Sequence, residues 1–476
     1  MKKSLFALMA AAAFSAQSVE INPDGTGQVL LYPFYTVKSG FDTSINITNT
    51  TNTTKAVKVR FSEGKNTWEV LDFNLYLSPY DVWTAVLTKN QAGGVRLVTR
   101  DTSCTVPAIP AEGILFRNAL YAGNDAEGNG EAEADQSLTR LEEGHLEVIE
   151  MGLVQNSASH PLATAIKHVN GVPNDCNAVT AAWDGGLWSA DRNANMSAPT
   201  GGLYGSTQFI NIPQGISTTV DATAIDNFWE LSGNGNSANN RPGTSFPDLN
   251  GQVEEGLSLL KLGNKSSSVV ANGGLVTSTW NETIDAVSAV LMARSISNDY
   301  YVNAGLNGAT DWVISFPTKH FYVNGGESFN GLGPNRPPFK SSFDADNDEG
   351  ACETVSLSYF DREEERNQVN TEVDFSPSVN PDTGPAICWE TSRITFNNRS
   401  VFGASATLNN IEIPFSEGWA EIGFNGRLVS NESHRYIGLP VIGFSAVSLQ
   451  NGQLNGGSTL ANYATSTPHK RTRQIN

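Results

Sequence analysis

Apolar and polar residues alternate through much of this chain, and the period of the alternation is two. Between 44 and 49, Ile45 and Ile47 share one face while Ser44, Asn46 and Thr48 share the other. A polar turn covers 50–54, and 55–61 alternates again, grouping Val57, Val59 and Phe61. Two more strand-like runs, 68–77 and 81–87, are separated at Ser78 and Pro79. Alternation between turn residues predicts strands with one buried face, whereas a half-buried helix repeats about every 3.6 residues. Several such strands with short turns predict a β-sandwich of immunoglobulin-like type. Residues 144–151 predict a further strand, after an acidic, glycine-rich loop at 123–135.

The middle of the chain changes character. Residues 160–168 and 175–183 predict short helices, and Asp221 is placed to cap a third reaching Phe228 and Trp229. The stretch 232–251, rich in Gly, Asn, Ser and Pro, reads as a border. Thr279 and Glu282 have capping-box spacing ahead of a helix whose apolar stripe is Ile284, Val287 and Leu291. Strand patterns return at 311–316, 320–323, 393–396, 419–424 and from 438 onward. The expected fold is therefore mainly β, with Ig-like β-sandwich domains at both ends and a loop-rich, partly helical middle. The expected boundaries are 19–155 for the N-terminal sandwich, 156–278 for the middle region and 279–476 for the C-terminal mainly β domain.

Residues 1–18 have the three zones of a secretory signal peptide. Lys2 and Lys3 give a positive start, 5–14 is an apolar run, and Ala16 and Ser18 are small residues spaced for cleavage before Val19. The run is too short to span a bilayer, and no later stretch approaches ~20 apolar residues, so no transmembrane segment is expected. Cys104, Cys176, Cys352 and Cys388 all lie beyond the signal. An even count in an oxidising compartment predicts bridges, and four cysteines allow three pairings. Cys104–Cys176 and Cys352–Cys388 are favoured, because each pair lies in its own half of the chain.

Composition narrows the function classes. The formal charge is −19, and removing Lys2 and Lys3 makes it −19 − 2 = −21. Such a surface repels phosphates and argues against a nucleic-acid partner. No GxSxG, HExxH or strand-borne GxGxxG is present, and His145, His160, His168, His320, His434 and His469 form no ligand-spaced cluster. The chemically pointed segment is 344–350, where Asp344, Asp346 and Asp348 alternate. Carboxylates so spaced can converge on Ca²⁺, which prefers about six to eight oxygen ligands. Glu349 at the sixth position and Val355 at the twelfth depart from the EF-hand loop, so weak calcium binding is the expectation.

Residues 144–152, 310–319, 359–364 and 438–444 resemble segments of a family of uncharacterised exported proteins of Gram-negative bacteria. The resemblance spans most of the mature chain and implies export, without implying an activity. The first functional expectation is a non-enzymatic, exported cell-surface or secreted structural or adhesive protein. Its partner would be a surface component or a polysaccharide. The second is a carbohydrate-binding or carbohydrate-processing extracellular protein, with some of the nine tryptophans as sugar platforms. Periplasm, cell surface and medium are all consistent with export.

Overall fold

A computed structural model describes residues 17–123, 136–230, 247–255, 258–261, 263–326, 334–344, 349–363, 366–368, 385–454 and 459–476. The chain is mainly β, and its strands form two successive two-sheet sandwiches. In the first, the larger sheet runs in the order Glu20–Ile21, Thr223–Asp226, Val29–Thr36, Glu143–Val154, Lys55–Glu63, Glu69–Leu77 and Cys104–Val106. Met196–Ser197 adds to Glu143–Val154. The facing sheet runs Ile216–Asp221, Leu203–Asn211, Asp42–Asn49, Val82–Lys89, Val95–Val98 and Ile114–Leu115. Both sheets carry more strands than those of a constant-type immunoglobulin domain.

Alternation places the core. Ile45 and Ile47 from one sheet meet Val57, Val59 and Phe61 from the other. The polar positions of Lys55–Glu63 are mostly buried too, because cross-strand partners neutralise them. Lys58 pairs with Asp72, and Arg60 bonds Glu69 at 2.9 Å and Glu147 at 2.7 Å. Lys55, fully buried, reaches Glu150 at 2.5 Å.

Leu203–Asn211, Ile216–Asp221 and Thr223–Asp226, within the stretch expected to be a helical middle, are strands of these two sheets. Asp221 caps no helix and instead pairs with Ser206 across a hairpin. The competing signal was period two: Ile216, Thr218 and Val220 are buried while Ser217, Thr219 and Asp221 are exposed. The helices Leu162–Ile166 and Cys176–Trp183 form inside their expected spans, and Asp175 caps the second through the N–H groups of Asn177 and Ala178. With Leu187–Ala190 they cover the outer face of the larger sheet, where Trp188 stacks on Tyr76 at 5.5 Å. The Cys104–Cys176 disulfide ties this layer to the edge strand. Residues 231–246, most of the expected border, lie outside the described residues.

The second sandwich pairs Arg366–Gln368, Glu353–Asp361, Glu417–Phe424, Ser295–Tyr301 and Lys470–Thr472 in one sheet. The other is Leu408–Ile411, Thr391–Phe396, Ala309–Ser315, Ile442–Leu454 and Thr459–Pro468. Cys352–Cys388 closes next to the short pairing of Glu353 with Ile387. The helix Thr283–Leu291 is buried at every position but the half-buried Asp285, its expected stripe included. Its capping box does not form. Thr279 ends the strand Gly274–Thr279 and bonds Glu432, while Asn250 Oδ1 accepts the Ile284 N–H at 3.1 Å. The strand expected at 320–323 is replaced by a 3₁₀ turn, Lys319–Phe321. Phe321, Tyr322 and Val323 are all buried, a consecutive run that carries no period.

The two sandwiches share a seam. Phe34, Phe41 and Phe209 pack with Phe402 and Phe444 in one aromatic cluster. Backbone bonds cross it from Glu390 to Lys65 at 2.7 Å and from Thr391 to Gly64 at 2.8 Å. Arg393, fully buried, bonds Asp311 of its own half at 3.0 Å and Glu143 of the other at 2.8 Å. No helix among the described residues is long and apolar enough to cross a membrane.

Candidate functional site

Three strands of the second sandwich present one cross-strand row to solvent. The register sets Asp299 opposite Trp419 and Trp419 opposite Phe360, so all three point to the same side. The Phe360 and Trp419 rings lie 4.3 Å apart and 9° from parallel, forming a flat double plate. Trp419 is 41% exposed. Of the nine tryptophans, all of them described, it is the exposed one; the rest are buried or half-buried.

The neighbouring position explains how the plate stays level. Tyr300 points inward and donates its hydroxyl to the Phe360 carbonyl at 2.8 Å, and burial pushes that hydroxyl far above its ordinary pKa. A Cβ at Gly418 would collide with that carbonyl and with the Tyr300 hydroxyl. Glycine is thus required for the close approach of the Glu417–Phe424 strand to its neighbours.

The plate floors an open trough of about 790 Å³, within the range of small-molecule sites. Asp299, Tyr301, Asp361, Arg362 and Glu417 line it from one sheet, and Ser445, Thr465 and Thr467 from the other. Arg362 holds Glu417 at 2.7 Å. Asn298 anchors the facing sheet through the Thr467 carbonyl at 2.8 Å, and Trp312 Nε1 donates to the Asp299 carbonyl at 3.0 Å. The trough combines an apolar plane with hydrogen-bonding groups around its rim. That arrangement suits a ring whose faces are apolar and whose edges carry hydroxyls.

The histidines are dispersed. His145 and His469 are buried, and burial pushes both down to about 4. His469 donates from Nε2 to the Val313 carbonyl at 2.9 Å, and His320 meets Glu390 at 3.1 Å within the seam. His168 and His434 bond Ser78 and Ser278. No group of three metal-ligating side chains is found among the described residues. Of the calcium triplet, Asp346 and Asp348 lie outside the described residues. Asp344 is described in its backbone alone, which pairs with Glu349.

Sequence reasoning missed the trough because its floor is assembled by register. Trp419, Phe360 and Asp299 are remote in sequence, and each reads singly as one residue of a strand. A signal was present in Gly418-Trp419, a glycine beside a large aromatic in an alternating run, which marks a close backbone approach. No family model matches the chain, and no curated protein or solved structure matches it either.

Proposed function

We propose that this is an exported, non-enzymatic adhesive protein that holds a carbohydrate chain in the Trp419 trough. The observation that carries the reading is the Phe360–Trp419 plate, exposed in an open, polar-rimmed trough on a two-sheet sandwich. A tryptophan exposed to solvent adds little to the core, and one stacked flat on Phe360 offers its face to a ligand. Two disulfides support the extracellular part of the reading, as does the resemblance to exported proteins of Gram-negative bacteria. Carbohydrate processing is the second reading, favoured by the carboxylates Asp299, Asp361 and Glu417 on the trough rim.

A glycan array probed with the mature chain tests the first reading. Selective binding of a defined set of sugars is expected, and Trp419→Ala should weaken it at least tenfold with unchanged melting. Failure of the wild type to bind any glycan above background would overturn the carbohydrate part. Release of reducing ends from a bound glycan would move the assignment to the second reading.

A further inference from the structure

Charge is distributed unevenly in this acidic chain. No Asp or Glu lies in 433–476, whereas Arg435, Lys470, Arg471 and Arg473 do. The strand Lys470–Thr472 pairs with Ser295–Ser297, setting Arg471 opposite Ile296. Beside it, the hairpin of Ser266–Ala271 and Gly274–Thr279 turns through Asn272 and Gly273, both left-handed. Asn272 reaches across to donate its side-chain amide to the Ile475 carbonyl. Hairpin and strand enclose a cleft of about 480 Å³, lined by Asn272, Gly273, His469, Lys470, Arg471 and Arg473.

The arginines in this cleft are short of acceptors. Arg473 Nη2 donates to the Val290 carbonyl at 3.2 Å, at the C-terminal turn of the helix Thr283–Leu291, where a cation complements the helix dipole. Among the described residues its Nε has no acceptor, and neither has Arg471 Nη1, although both atoms are buried. Burial and the adjacent Arg473 push Arg471 down to about 10, and no carboxylate among the described residues offsets them. Helix capping accounts for one bond of Arg473 and gives Arg471 none. Two half-buried guanidinium groups beside each other, each with a nitrogen removed from water, are costly unless an anion joins them. Their planar forks match a tetrahedral oxyanion, which can accept from both.

We propose that the cleft is an anion site, in which Arg471, Arg473 and Lys470 hold a phosphate or sulfate group. The group is either a free ion or an ester carried on a sugar. The site is separate from the Trp419 trough and stands or falls without it.

Isothermal titration of the full mature chain with inorganic phosphate, against chloride at equal ionic strength, tests the proposal. Saturable binding of phosphate alone is expected, accompanied by a rise in melting temperature. Arg471→Gln should weaken phosphate binding at least tenfold. Lys470→Gln, at an exposed position that leaves folding intact, should weaken it severalfold. Trp419→Ala should leave it unchanged. A second titration with glucose 6-phosphate separates the sources: binding as tight as inorganic phosphate supports the ester, and binding of the inorganic ion alone supports the free ion. Equal responses to phosphate and chloride in the wild type, or full phosphate binding by both Arg471→Gln and Lys470→Gln, would overturn the assignment.

Discussion

Replacing Arg393 by methionine removes the charge that joins the two sandwiches while keeping most of the side-chain volume. Arg393 is fully buried, and its guanidinium spans Asp311 at 3.0 Å and Glu143 at 2.8 Å. Removing one member of a buried ion pair costs about 3–5 kcal/mol, because the partner stays buried without compensation. Both partners here retain other contacts. Asp311 still accepts from the Phe402 N–H at 2.9 Å and the Ser400 hydroxyl at 2.7 Å, and Glu143 keeps Lys38 at 3.3 Å. The expected loss at neutral pH is therefore near the lower end, about 3 kcal/mol.

The pH dependence gives the sharper test. Burial raises the Asp311 carboxyl above its ordinary pKa, and Arg393 is the strongest influence opposing that rise. A carboxyl raised by folding adds stability in acid, where it is protonated, and that stability is lost as pH rises through its folded value. Without Arg393 the folded value moves higher still. The deficit of Arg393→Met relative to wild type should therefore be smaller at pH 5 than at pH 8. While Asp311 titrates, the deficit grows by up to about 1.4 kcal/mol per pH unit. Urea denaturation followed by tryptophan fluorescence at the two pH values measures both quantities. A loss below about 1 kcal/mol, or an equal loss at both pH values, would refute the reasoning.

Val59→Asp places an unpaired carboxylate in the centre of the N-terminal core, where Val59 is fully buried, and should cost roughly 4 kcal/mol or more. Unchanged melting would show that this face is not a core. Replacing Cys104 and Cys176 together by serine releases a 72-residue loop, worth about 4 kcal/mol by loop-closure entropy. The Trp183 and Trp188 fluorescence should report loss of the helical layer before the sheets melt, and simultaneous melting would contradict that order. If the sequence expectation of calcium at 344–350 holds, occupancy at about 100 times the dissociation constant adds roughly 2.7 kcal/mol, so melting should rise with millimolar calcium and fall with chelator. Asp346→Asn should abolish the difference, and identical curves with calcium and chelator would reduce 344–350 to a solvated loop.

Local order was legible wherever a period survived. The strands Asp42–Asn49 and Lys55–Glu63 announce themselves because one face is consistently apolar, and the helix Thr283–Leu291 because its stripe repeats at helical spacing. The disulfide pairs were legible from the even cysteine count and the position of each pair in its own half of the chain. Three features were not. Asp221 resembles a cap because a strand end and a helix start use the same residue types, and only its pairing with Ser206 separates them. Thr279 and Glu282 have the spacing of a capping box, yet the side-chain oxygen of Asn250 supplies the bond from afar. The Trp419 trough depends on which strands become neighbours, and a single sequence carries that information in no local pattern.

The spread of each sheet along the chain also fixes when it can close. Every strand of the N-terminal sandwich lies between Glu20 and Asp226, so those sheets have all their members once Asp226 has emerged. The sheet bearing Trp419 waits far longer. Ser295 pairs with Thr472, a separation of 472 − 295 = 177 residues, and such distant pairings form slowly. A chain that emerges N-terminus first thus passes through a stage with one finished sandwich and one open half. During that stage Phe34, Phe41 and Phe209 face solvent, because their partners Phe402 and Phe444 have not yet arrived. A chaperone that shields this aromatic patch would govern yield without touching the Trp419 trough or the Arg471 cleft.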